Sequence, residues 1–213
     1  MGIYRNGILG PFSGTVGSVV GSSFRGESVM RSRPRKSNRV ASELQKVQRS
    51  KFAKTIQFLT PAKSVISEFY GVPSGVKSRF NLATSYHIQD AVEYVNDKSI
   101  ILYDKVVYAK GNLLSPQNLV CDAVADAKLK LTWSDNSAQA GTKTTDALMV
   151  VVLDTQTNEY EFFLNVAKRD ELQVDLGLPA YLTGVEIQVY AFMASADGKS
   201  NSTSQHLGKF TVL

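Results

Sequence analysis

Chemistry-bearing residues are scarce in this chain. Among 213 residues there is one cysteine, Cys121, one tryptophan, Trp133, and two histidines, His87 and His206. A lone cysteine excludes an intrachain disulfide, and its neighbours Val120 and Val124 read as a buried strand. Neither histidine has a Cys or His at ligand spacing, so the usual zinc patterns are absent. No HExxH, GxSxG or GxxxxGK[ST] occurs, which removes the common hydrolase and nucleotide-binding readings. The scattered acids Asp122, Asp126, Asp135, Asp146, Asp154, Asp170 and Asp175 read as solvated turn residues rather than a catalytic pair. No catalytic, metal-ligating or cofactor-binding residue is therefore read from the sequence, and an enzyme is the least supported reading. No run approaches the ~18 apolar residues that span a bilayer. The opening MGIYRNGILGPFSG is broken by Arg5, Gly7, Gly10 and Pro11 and does not read as a cleaved signal, and Asn6 stands where N-myristoylation wants Ser or Thr. The reading is cytoplasmic synthesis without a membrane span.

What is present is a division of charge. Residues 1–60 hold eleven Lys/Arg against Glu27 and Glu43, a net +9. The whole chain is +5, so residues 61–213 carry −4, from 13 basic and 17 acidic residues. Seven of the fifteen glycines lie in residues 1–26. The chain thus begins as a glycine- and arginine-rich arm, 1–41, of the sign that seeks phosphate, an anionic surface or an acidic subunit. Within it, 18–24 and 28–32 flank Arg25-Gly26-Glu27 and read as a β-hairpin, after which Pro34 ends regular structure.

A helical unit follows over 42–97. Ser42 with Gln45 makes a capping box, and Leu44, Val47, Phe52, Ile56 and Leu59 fall near one helical face. Thr60-Pro61 reads as the next helix start. A short helix over 62–70 would bury Val65, Ile66 and Phe69, with Gly71 stopping it. A third, at about 77–94 after Ser74, would bury Phe80, Ala83, Ile88, Ala91 and Val92 and end at Asn96-Asp97.

The pattern changes near Ser99. Apolar runs alternate with Gly, Asn, Asp and Ser clusters, giving strands at 99–103, 106–109, 118–124, 128–134, 146–154, 159–166, 171–176, 184–194 and 206–212. Residues 98–117 serve as linking strands and 118–213 as an antiparallel β-sandwich. Lys128–Trp133 alternates strictly, as does Gly184–Phe192, which predicts one face in the core and one in water. The fold class is α+β.

Residues 118–213 resemble a fibronectin-type-III or immunoglobulin-like sandwich. Leu131-Thr132-Trp133 stands as the tryptophan strand and Val189-Tyr190-Ala191-Phe192 as the late tyrosine strand. Ala196-Asp197-Gly198 forms a turn before Ser200-Asn201-Ser202 and the last strand. The whole chain also resembles a bacterial and phage-associated family of unknown function. That likeness rests on Gly7-x-x-Gly10-x-Phe12-x-Gly14-x-Val16-Gly17, Arg31-x-x-Pro34, Gln45…Arg49-x-Lys51-Phe52 and the Trp133/Tyr190 module. It supplies no catalytic residues and implies a structural or assembly role, as in a virion or phage-like appendage.

Three functions follow as expectations. The first is a non-catalytic subunit whose arm docks on neighbouring copies or other subunits of an assembly. The second is a nucleic-acid-binding protein that uses Arg31–Arg39 on phosphates. The third is a surface or carbohydrate-binding module that uses sandwich loops. Candidate contact residues are Arg25, Arg31, Arg33, Arg35, Lys36, Arg39, Arg49 and Lys51.

Overall fold

The structure is a computed structural model and describes residues 2–4, 10–24, 26–35, 40–139 and 141–213. It divides into two compact units, Met1–Ser42 and Glu43–Leu213.

The first unit is a four-stranded antiparallel sheet in the order β1-β4-β3-β2. Its strands are β1 (Gly2–Ile3), β2 (Gly14–Val16), β3 (Val19–Phe24) and β4 (Glu27–Ser32). The hairpin read from sequence is β3–β4, with Phe24 opposite Glu27 and Gly26 at φ +81° in the two-residue loop.

The second unit is mixed. Helix α1 (Glu43–Leu59) is followed by α2 (Lys63–Phe69) and α3 (Arg79–Tyr86). Then come the hairpin of β5 (Val92–Val95) and β6 (Lys98–Ile101), and β7 (Gln117–Val124) and β8 (Lys128–Ser134). The chain closes with β9 (Ala147–Asp154), β10 (Tyr160–Lys168), β11 (Gln173–Gly177), β12 (Glu186–Ala194) and β13 (Gln205–Thr211). All these strand pairings are antiparallel, and they build a four-stranded sheet β10-β9-β12-β13 and a three-stranded sheet β11-β8-β7. Apart from Ser42, the parts expected at 42–97, 98–117 and 118–213 lie in this unit and share its two cores.

Two hydrophobic cores flank the four-stranded sheet. Leu148, Val150 and Val152 of β9 and Ile187, Val189, Ala191 and Met193 of β12 meet Cys121, Leu129, Leu131, Trp133 and Leu176 of the other sheet. The intervening residues Met149, Val151, Leu153, Tyr190 and Phe192 turn the opposite way and meet Phe58, Leu59, Val65, Ile66 and Phe69 of the helices. The period of two in β12 is real, but both of its faces are buried, because helices cover the side expected to meet water. Leu129, Leu131 and Trp133 do face the core of the sandwich-like pair, and burial pushes the Cys121 thiol up to about 12.

Several boundaries differ from expectation. In α1 the buried side chains are Thr55, Phe58 and Leu59, whereas Leu44 and Phe52 are exposed, because only the last turns lie on the core. Thr60 caps no helix; its hydroxyl donates back to Ile56 O at 2.6 Å, and α2 starts after Ala62. The third helix starts later and ends sooner. Ser78 accepts from the Asn81 N–H, and a wide turn at His87–Ala91 releases the chain into β5. Asn96 and Asp97, at φ 50° and 59°, supply the two-residue turn that lets Val92–Val95 pair with Lys98–Ile101. Residues 106–109 form no strand. Val106, Tyr108 and Ala109 are buried there, and the Tyr108 N–H donates to Ser204 Oγ at 2.9 Å.

Polar groups cross this interior as tied networks. Arg169, wholly buried, donates through Nε to Asp146 Oδ2 at 3.1 Å, through Nη1 to Asn136 at 2.6 Å and through Nη2 to Leu114 O at 2.9 Å. Trp133 Nε1 donates to the Arg169 carbonyl at 2.8 Å. His87 is buried, and the Val107 N–H donates to its Nε2 at 3.2 Å, so Nδ1 carries the proton given to Ala83 O at 2.8 Å. That leaves the ring neutral, and desolvation lowers its pKa to about 4.

Two outcomes test these networks. Asp146→Ala strands a buried guanidinium and should cost about 3–5 kcal/mol in urea unfolding, while Arg169→Met with Asp146→Leu should cost less than that single change. For His87, the unfolded chain binds its proton below about 6.5 and the folded chain only below about 4, so stability falls as pH drops through that window. The loss between pH 7 and pH 4 should be about 3 kcal/mol larger in the wild type than in His87→Gln, measured by denaturant titration at both pH values.

Candidate functional site

The cationic sheet of the first unit is built on antiparallel backbone pairing. Among its described residues only Gly21 and Val29 are buried. Gly21 is required by a close approach. A Cβ there would meet Phe12 O and would lie 2.7 Å from the Phe12 ring. Phe12 is fixed over the sheet by Tyr4, whose hydroxyl donates to Phe12 O at 3.0 Å and accepts from the Phe12 N–H at 2.8 Å.

Of the residues read from sequence, Arg31 lies in β4 opposite Val20, and Arg33 extends the pairing by donating its N–H to Ser18 O at 2.8 Å. Arg31, Arg33 and Arg35 are exposed, so the structure brings these three together on one extended segment. Arg25, Lys36 and Arg39 lie outside the described residues. Arg49 and Lys51 belong to α1 of the second unit, Arg49 exposed and Lys51 half-buried. Across the first unit, seven basic residues against Glu27 give +6, which leaves −1 for residues 43–213 out of the total of +5.

The chain belongs to a family of unknown function, DUF6266. The family's pattern matches residues 11–208, so it takes in most of the cationic sheet as well as the helices and both body sheets. No curated protein matches the chain. Among the described residues, no helix is long and apolar enough to cross a membrane.

Sequence reasoning passed over a second place on the family's larger unit. Residues from 68–89, 110–112 and 198–203 line one cleft there, among them Tyr70, Arg79, Tyr86 and Lys110. No local motif announces it, since its lining is gathered from three stretches far apart in the chain. The nearest signals were the glycines beside it, Gly71 and Gly111, which sequence reads only as punctuation.

The Phe12 clasp gives a direct test of the first unit. Gly21→Val should displace Phe12 at a cost of about 1–3 kcal/mol, making local opening roughly tenfold more frequent. Chymotrypsin should then cut at Tyr4 and Phe12 about tenfold faster, with the unfolding of the larger unit unchanged.

Proposed function

We propose that this protein is a non-catalytic assembly subunit whose N-terminal unit docks on a neighbouring copy of the same chain. One observation carries the reading. The first unit is a four-stranded sheet with only two buried residues among those described, and it holds Ile3 and Val16 at 58% and 65% exposure. A sheet of that kind lacks the core that independent stability requires. Its edges also invite pairing. β3 runs on past Gly21, yet β2 pairs with Val19, Val20 and Gly21, so among the described residues no strand pairs with Ser22 and Ser23 on that edge. Strand addition from a neighbour would supply main-chain hydrogen bonds there. Charge supports a like partner, because the +6 sheet meets least repulsion on a body that is itself slightly acidic.

The body is read as a fibronectin-type-III or immunoglobulin-like module. Seven antiparallel strands, three against four around one core, with Trp133 in one sheet and Tyr190 in the other, support that reading. Such a module carried on an assembling arm suits a subunit of a phage particle or phage-like appendage.

Sedimentation of the full chain and of residues 43–213 is the test. The full chain should run as a concentration-dependent oligomer and the shortened one, which keeps both hydrophobic cores, as a monomer. Monomers in both forms would sink the proposal. Binding to DNA or RNA that falls steeply with salt and disappears in Arg31→Gln/Arg33→Gln/Arg35→Gln would instead assign the segment to phosphates.

A further inference from the structure

The cleft on the second unit has a volume of about 610 Å³, within the range of small-molecule sites. Its walls are fixed by backbone ties. Lys110 N–H donates to Phe69 O at 3.0 Å, Gly71 N–H to Lys110 O at 2.7 Å, and Asn201 Nδ2 to Phe69 O at 2.8 Å. Gly111 is obligatory in this wall, because a Cβ there would run into the Asn201 backbone, with its carbonyl carbon at 2.8 Å. A site tied in this way is preformed and loses little freedom when a ligand enters.

The lining is cationic. Arg79, Lys110 and Lys199 face one carboxylate, Glu68. Arg79 is anchored by Nη1 donating to the Ser67 and Glu68 carbonyls at the end of α2. Lys110 Nζ sits 5.6 Å from the centre of the Tyr86 ring. Asp197 lies beside Lys199 and accepts its backbone N–H at 3.2 Å, and Asp90 acts on Tyr70 and Tyr86, so Arg79 is the cation that these two acids do not face.

Two buried donors in these lining residues have no partner: Tyr70 Oη and Arg79 Nε. Tyr70 is 2% exposed, and burial holds its hydroxyl in the protonated, donating form. Buried polar groups are nearly always paired, so two orphans in one cleft mark a missing acceptor. The Tyr70 ring packs in the helix-side core, but its hydroxyl is left over.

We infer that this cleft binds a small polar molecule through an oxyanion, carboxylate or phosphate, with Arg79 and Lys110 supplying charge, Tyr70 a hydroxyl donor and Asn201 a fixed wall. The site lies wholly within the second unit and is independent of assembly through the first.

Titration of the full chain with sodium glucuronate, inorganic phosphate and neutral glucose, followed by amide NMR, tests it. Either charged probe should give saturable shifts confined to Gly71, Lys110 and Gly111, and glucose should give none. Saturation by glucuronate alone assigns a carboxylate, and saturation by phosphate alone assigns a phosphoryl group. Lys110→Gln should weaken binding about fivefold and Tyr70→Phe about tenfold, as loss of one charge-assisted hydrogen bond requires. Because the Tyr70 hydroxyl has no partner in the free chain, Tyr70→Phe should leave the melting temperature equal or higher. Absence of saturable shifts with both anions, or undiminished binding in Tyr70→Phe, overturns the inference.

Discussion

Strands β9 and β12 have no face left for water. Each alternates side chains between two cores, one shared with the three-stranded sheet and one shared with the helices. Everything else in the larger unit is arranged by that constraint. A sheet buried on both faces must be covered twice, and here the second cover is the packed ends of α1 and α2 with the irregular segment around Tyr108. The cover is sealed by tyrosines rather than by aliphatic packing alone. Tyr190 Oη donates to Tyr103 O at 2.7 Å, and Tyr160 Oη to Phe58 O at 3.0 Å, so the sheet grips the helical layer by hydrogen bonds directed across the core.

Arg169 plays the corresponding part at the other end of the sandwich-like pair. It closes β10 and gathers the 114–116 segment and the 135–146 loop around one guanidinium. Asp146 Oδ1 has no partner, so the pair is not fully satisfied. Its worth lies in fixing which loops meet, since a buried charge tolerates few alternative arrangements, more than in net stabilisation. The cleft beside α2 and α3 is fixed in its own way: the Asn201 side-chain amide donates to Phe69 O and the Asn201 carbonyl accepts from the Leu113 N–H.

The N-terminal unit follows the opposite logic. It has pairing without a core, a clasp of Phe12 over Gly21, and a row of exposed arginines. Backbone hydrogen bonds contribute little net stability when water competes for them, so such a sheet gains little from its own pairing. The positive charge is thereby placed in one unit and the aromatic interior in the other.

Much of this could be read beforehand. The hairpin around Gly26, the short helix over Lys63–Phe69 and seven of the body strands follow from local signals. Turn residues and runs of β-branched side chains act within a few positions of themselves. Where local signals compete, the sequence misled. Val92–Val95 looked like the end of a helix until the Asn96-Asp97 turn offered it a partner, and Leu44 and Phe52 matched a helical stripe that the body does not cover. The candidate cleft was not legible at all.

The chain by itself determined the element types, the charge division and the absence of familiar catalytic motifs, because each is a property of neighbours along the backbone. Only the tertiary structure decided that β12 is buried twice, that His87 stays neutral, that Arg169 finds Asp146, and that Tyr70, Arg79 and Lys110 share one cleft. Those outcomes depend on which surfaces meet, and residues separated by 20 to 102 positions carry no local trace of the neighbour that will desolvate them.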